Sequence, residues 1–217
     1  MNTTISALPE LTGKSVTLQG WVYNFRSSGK IFFLQVRDGS GFVQAVASKA
    51  DISAESWAAC EQVSIESSVE VTGVVKEDTR SASGVELGVT EVKLIHAGPE
   101  WPIGKKEHGP EFLFDNRDLY LRSKTPWAIL RIRDRIFFSI EHFFHEEGFI
   151  RFDSPIIQPT SCEDTTQLFT VDYYGTPSYL SQSGQLYSEA GIMSFGKVYD
   201  FGPVFRAEKS KTRHHLS

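Results

Sequence analysis

Arg206 and Glu208 stand two residues apart in FGPVFRAEKSKTRHHLS, which runs from Phe201 to Ser217, and Lys209, Lys211 and Arg213 follow directly. An arginine presents a planar fork of donors that fits a phosphate or a carboxylate. On a strand, alternation by two would set Arg206 and Glu208 on one face. A fixed cation, a nearby acceptor and a basic loop suit a polyphosphate held beside a second, donor-bearing group.

Three further constellations carry candidate chemistry, and each has a plainer reading. Glu163 and Asp164 in SCEDTTQLF could clamp an ammonium group, or form a solvated turn. Ser183, Gln185 and Glu189 surround Gly184 in SQSGQLYSEA; Gln185 and Glu189, four apart, share a helical face and could grip a small polar ligand. Otherwise this is an ordinary helix start with Ser183 as its cap. In KIFFLQV, Phe32 and Phe33 must point to opposite faces of a strand. One belongs to a core; the other could be a stacking platform for a base, with Arg26 and Gln44 reading base edges beside it. The alternative buries both rings.

The elements that must position these residues can be read along the chain. Over residues 14–95, KSVTLQGWVYNF, KIFFLQVRD, GFVQAVAS, SSVEVTGVVKED and VELGVTEVKLIHA read as five strands divided by SSGK, RDGSG and TRSASG turns. A helical stretch, DISAESWAACEQV, falls after the third. That order predicts a small Greek-key barrel of the OB type over 1–98, with a generic β-sandwich as the alternative. Residues 99–125 mix Pro, Gly and charge without a period and read as a hinge. From Pro126, Ile129, Ile132, Ile136, Ile140 and Phe143 recur at helical spacing with Leu130, Phe137 and Phe144 beside them, and Gly148 supplies the stop. The stripe is wide, so the helix is expected to be buried along much of its length. FIRFDSPII is predicted as a strand broken by Pro155. SQSGQLYSEAGIMSFG reads as mostly helical and KVYDFGPVFRAEK as a strand.

Composition narrows the function classes. The 217 residues carry a formal charge of −5, so no global nucleic-acid footprint exists. Positive charge is gathered locally: residues 206–217 hold four basic side chains against one acid. No run of about 18 apolar residues occurs, so no spanning helix is expected. MNTTISALPELTGKSV lacks the basic-then-apolar pattern of a signal peptide. Cys60 and Cys162 lie far apart without metal-ligand spacing. Free thiols, no metal site and a cytoplasmic location are the expectations.

Taken together, these phrases resemble the class II aminoacyl-tRNA synthetases, on the asparagine side of their aspartate/asparagine subgroup. GWVYNFRSSGKIFFLQVRDGSGFVQAV is similar to the family's anticodon-binding OB barrel. The helix from Pro126 with FIRFDSPII resembles the first class motif, Pro155 being its hallmark proline. FRAEKSKTRHHLS resembles the opening of the second. The aspartate branch places a lysine where this chain has Ser188, and YLSQSGQLYSEA thereby favours an amide substrate. The resemblance implies an all-β OB-fold barrel (1–98), a hinge (99–125), and the N-terminal part of an α+β catalytic domain (126–217) built on an antiparallel sheet with helices.

It also implies roles. Arg206 would bind the ATP α-phosphate and the amino-acid carboxylate, and Glu208 the adenine amino group. Glu163 and Gln185 would hold the asparagine ammonium, and Glu189 its side-chain amide. Arg26, Phe33 and Gln44 would read the anticodon of tRNA-Asn, and Lys211 would approach the acceptor end. His214 and His215 fall at the ATP site, His214 where the family carries arginine. The implied reaction is ATP-dependent activation of asparagine and its transfer to tRNA, with Mg2+ on the nucleotide, in a homodimeric enzyme without a membrane. The third class motif does not occur within the chain, so these residues alone are expected to be inactive. The rival expectations are a tRNA-binding module without ligase activity and an aspartate-charging relative. A paralogue that makes free asparagine is disfavoured by the anticodon barrel. The expectation for isolated 1–217 is a stable barrel and a poorly ordered remainder.

Overall fold

The structure, a computed structural model, describes residues 2–104, 106–160 and 168–207. It falls into two compact units, Met1–Asp115 and Asn116–Ser217.

The first unit is the expected barrel. Its strands are β1 (Ser15–Ser28), β2 (Ile31–Arg37), β3 (Phe42–Ser48), β4 (Ser68–Glu77) and β5 (Val85–His96), closed in the order β1-β2-β3-β5-β4. Only the β3–β5 pair is parallel. Closure rests on the length of β1. Its first half pairs with β4 and its second with β2, and Trp21 has a partner on each side. At Gly20 the neighbouring strand comes so close that a Cβ would lie 2.3 Å from the Arg37 carbonyl oxygen, so only glycine fits that bend. Alternating residues fill the interior: Val16, Leu18, Val22, Leu34, Val36, Val71 and Leu87 are all buried.

Helix α1 (Ala54–Gln62) packs against this core through Trp57 and Cys60. Ser53 caps it, its hydroxyl accepting from the Ser56 N–H at 3.1 Å. Phe32 is buried edge-on against Trp57, with ring centroids 4.8 Å apart.

The stretch expected to be an irregular hinge contains two short helices, α2 (Pro110–Asp115) and α3 (Arg117–Tyr120). Pro110 opens α2, where a missing N–H costs nothing, and Glu111 in the first turn complements the helix dipole. These local signals outweighed the absence of a long hydrophobic period.

The second unit contains α3 and α4 (Lys124–Glu146), then β6 (Ile150–Arg151), β7 (Ile157–Gln158), β8 (Thr170–Tyr173), β9 (Thr176–Leu180), α5 (Gln185–Phe195) and β10 (Val198–Tyr199). β7, β9 and β8 form a three-stranded antiparallel sheet; β6 and β10 form a parallel pair. The expected antiparallel sheet with helices is thus present, and the unit carries a short parallel pair in addition. Pro126 is the third residue of α4 rather than the first, still within the turn whose N–H groups lack helical partners. Gly148, at φ +78°, ends the helix in the left-handed conformation.

The expected burial of α4 is also corrected. Ile129, Ile132, Ile136 and Phe143 are each at least half exposed. Along its C-terminal half the helix meets aromatic partners: Phe144 stacks on Tyr199 at 4.7 Å, and Phe137 meets Phe201 at 5.3 Å. Beyond them the short sheets reach only part of the stripe, leaving an open hollow of about 440 Å³ against Ile132, Ile136, Ile140 and Phe143. Every buried member of the hydrophobic core among the described residues lies between Ile5 and Val92.

Candidate nucleic-acid face and candidate amino-acid site

The outward face of β1, β2 and β3 is assembled by a register shift. Val16, Leu18, Gly20 and Val22 point inward. Continued alternation would send Arg26 inward as well. A bulge between Val22 and Asn24 inserts Tyr23, so Asn24 pairs with Gln35 and Arg26 with Phe33. Arg26 thereby reaches the outer surface, its guanidinium carbon 4.1 Å from the Phe33 ring centroid. Gln44 pairs with Gln35 on the same face. Arg26, Phe33 and Gln44 thus share one surface, and Phe33 is the outward member of the Phe32–Phe33 pair. Guanidinium and ring form a sequence-tolerant stacking surface, while side-chain amides can read base edges.

At the other end of this ladder Trp21 pairs with Arg37, whose guanidinium carbon lies 4.8 Å from the indole centroid. Arg37 donates from Nε to Glu66 at 2.9 Å and makes a second, short contact from its terminal nitrogen. Both side chains of this pair are nearly buried, at 12% and 5% exposure. Glu66 adopts φ +65°, an uncommon conformation for a non-glycine residue. The same turn anchors the chain leaving β5: Ser67 Oγ accepts from the Gly98 N–H at 3.2 Å, and Ser64 Oγ donates to the Gly98 carbonyl at 2.9 Å. Sequence reasoning did not single out Trp21, Arg37 or Glu66. Their grouping depends on cross-strand register, which periodicity does not specify.

In the second unit, Gln185 and Glu189 are exposed and lie one turn apart at the start of α5, as their spacing predicts. Gly184 occupies the N-cap position, and Ser183 Oγ accepts from the Gln185 N–H at 3.2 Å. The loop ahead of α5 is braced by polar contacts. The Gln158 amide nitrogen donates to Ser181 Oγ at 2.9 Å, and Ser181 Oγ donates to the Ser183 carbonyl at 3.0 Å.

Asp200 supplies the other brace. It accepts from Ser154 Oγ at 2.7 Å and from the Gly202 N–H at 2.7 Å. A Cβ on Gly184 would lie 1.7 Å from the same carboxylate, so the chain passes there only as glycine. Asp200 and Ser154 were not anticipated; Pro155 and the tight glycine in SQSGQ were the sequence signals near them.

The predicted strand bearing Arg206 is reduced to β10. Its partner β6 is two residues long, and side chains then replace the ladder: the Phe201 N–H donates to Asp153 Oδ1 at 3.2 Å. Pro203 has no N–H to offer. Arg206 is therefore exposed on an extended segment outside any strand, tied back by the Phe205 N–H, which donates to the Ser181 carbonyl at 2.8 Å. That bond brings the Arg206 segment to the loop that precedes Gln185. Arg151 pairs with Asp153 and holds its carboxyl below the ordinary aspartate range. Glu163, Asp164, Glu208, Lys211, His214 and His215 lie outside the described residues.

Comparison with known proteins agrees with this architecture. Residues 109–217 match the family described as tRNA synthetases class II (D, K and N), and residues 16–95 match the OB-fold nucleic acid binding domain. An asparagine–tRNA ligase of Streptococcus pneumoniae serotype 4 is 50% identical over 99% of this chain and 50% of its own length. That of Streptococcus agalactiae serotype III is 50% identical over 96% of this chain and 48% of its own. The crystal structure of asparaginyl-tRNA synthetase from Pyrococcus horikoshii, complexed with asparaginyl-adenylate, superposes with a TM-score of 0.87 at 39% identity. It covers 96% of this chain and 48% of that one. The Entamoeba histolytica asparaginyl-tRNA synthetase gives 0.86 at 32% identity, over 100% of this chain and 50% of that one. The chain spans about half the length of the curated relatives it matches. With an OB barrel followed by the matched synthetase segment, the chain belongs to the class II tRNA synthetases of the D, K and N group.

Proposed function

We propose that this chain is the N-terminal portion of an asparagine–tRNA ligase, which activates asparagine with ATP and transfers it to tRNA-Asn. The observation that carries this reading is the likeness to asparagine–tRNA ligases along 99% of the chain at 50% identity. The shared outer face of Arg26, Phe33 and Gln44 supports its tRNA half. Phe33 stacks an anticodon base, displacing Arg26 from the ring and freeing it for a base edge or phosphate; Gln44 reads a neighbouring base. Lys211 approaches the acceptor end of the tRNA.

In the second unit, Glu163 and Gln185 bind the asparagine ammonium and Glu189 meets its side-chain amide. Arg206 bridges the amino-acid carboxylate and the ATP α-phosphate, stabilising charge that develops during adenylation. Glu208 accepts from the adenine amino group, and His214 and His215 line the nucleotide site. Among the described residues no group of three or more His, Cys, Asp and Glu could hold a metal ion. Magnesium enters this reading only as the counter-ion of the nucleotide. The whole enzyme is a homodimer working in the cytoplasm; no helix among the described residues is long and apolar enough to cross a membrane.

Ser188, where the aspartate branch carries a lysine, sets the choice of an amide over an acid. Rejection of the wrong side chain follows from leaving buried polar groups unpaired or bringing like charges together. ATP–pyrophosphate exchange by the whole protein tests the assignment. Asparagine should support exchange and aspartate should not, and Phe33→Ala should raise KM for tRNA while leaving exchange intact. Equal exchange with aspartate would refute the asparagine assignment. RNA binding without exchange on any amino acid would favour a tRNA-binding module, a reading to which the self-contained barrel core also lends itself.

A further inference from the structure

Four rungs cross from β1 to β2 on the outer face of the barrel: Trp21–Arg37, Asn24–Gln35, Arg26–Phe33 and Ser28–Ile31. The first and third have the same composition with the strands exchanged, each setting an arginine over an aromatic ring. Between them lies an amide pair that Gln44 of β3 extends. The proposed function uses the Arg26–Phe33 end and Gln44, and leaves the Trp21–Arg37 end without a role.

The two ends differ in how the arginine is held. Arg26 is exposed and can leave its ring. Arg37 is locked by Glu66 in a nearly buried, two-point ion pair. Its charge is neutralised, so it is poorly placed to serve a phosphate. What it does is brace the indole from one side, while Trp21 keeps 41% of its surface in solvent. A large aromatic ring left in water is costly unless something covers it. Here the ring is also held against a guanidinium that Glu66 fixes, which lowers the conformational entropy lost on stacking.

We propose that Trp21, braced by Arg37 and Glu66, is a second base-stacking platform that takes an unpaired RNA base distinct from the one on Phe33. The inference rests on the nucleic-acid reading of this face. Phe33 and Arg37 are four residues apart on β2, or about 13 Å at the usual strand rise. Bases stacked on one another lie only about 3.4 Å apart. The two platforms therefore hold bases that have been splayed from each other, the form in which proteins read single-stranded RNA. Asn24, Gln35 and Gln44 then face the nucleotide between them.

The test uses the chain and two RNA hairpins, one with the looped anticodon arm of tRNA-Asn and one closed by a minimal loop. Trp21→Ala should weaken binding of the first by at least about fivefold, the lower bound for removing one base–aromatic stack. Its salt dependence should not change, because no phosphate contact is lost. Trp21→Phe should retain most of the affinity. Should Trp21→Ala fail to fold, the chain labelled with 5-fluorotryptophan decides. The 19F resonance that disappears in Trp21→Phe must shift when the looped hairpin saturates the protein, and must not shift with the minimal one. If Phe33→Ala weakens binding while the Trp21 signal and affinity do not respond, the second platform is overturned and the proposed function stands. If neither ring matters, the nucleic-acid reading of the whole face falls with it.

Discussion

Replacing Glu66 by alanine should destabilise the barrel more than any surface substitution. Arg37 keeps only 12% of its side chain in water, and its carboxylate partner 5%. Removing one member of a buried ion pair typically costs about 3–5 kcal/mol, because the other charge stays behind uncompensated. Arg37 retains some hydration and its contact with Trp21, which argues for the lower end, about 3 kcal/mol. Alanine inherits the left-handed backbone conformation at position 66, so backbone strain changes little and the loss reports on the ion pair. For a domain of about 100 residues, 3 kcal/mol corresponds to a fall in Tm of roughly 12–24 °C. Urea denaturation followed by tryptophan fluorescence measures it, with Glu66→Ala/Arg37→Met as the control. The double variant removes both charges and should regain most of the loss. A cost below about 1 kcal/mol for Glu66→Ala, or a double variant worse than the sum of the two singles, would refute this reasoning.

Gly184→Ala forces a methyl group into the Asp200 carboxylate and against Ser154 Oγ. In the whole protein, kcat/KM for asparagine should fall by about 10²-fold, the scale of a 1 Å misplacement, with tRNA affinity unchanged in a binding assay. Burial pushes the Cys60 thiol up to about 11. In a Cys162→Ser background iodoacetamide should therefore label Cys60 at neutral pH only after the barrel unfolds. The folded state binds this proton more tightly than the unfolded one. The contribution is thus intact below the ordinary thiol value of 9.0 and is lost as pH rises toward about 11, which a pH series of thermal melts would register.

The five barrel strands and the three longer helices, α1, α4 and α5, could be placed from periodicity and turn residues, because each side chain there answers to its own neighbours in sequence. Gln185 and Glu189 fall into the same class: four residues apart on a helix, they share a face wherever that helix goes. The strand expected at Arg206 failed for a reason outside its own sequence. Its partner strand is two residues long, and Asp153 and Asp200 take the backbone donors that a longer ladder would have used. The burial expected for α4 failed likewise, since an apolar stripe shows that a helix has a face to cover but not what covers it.

Sequence by itself determined that a closed β barrel forms, that Phe32 and Phe33 diverge, and that the chain carries the phrases of a class II synthetase. Tertiary structure alone decided which residues meet on the barrel's outer face. One inserted residue, Tyr23, turns Arg26 from the core side to the Phe33 side. Pairing across β1 and β2 then sets Trp21 over Arg37, and a turn from elsewhere in the chain brings Glu66 to lock it. Such contacts join residues 7 to 29 positions apart in sequence, and no local preference encodes them; they follow from register, which is settled only when the strands pair.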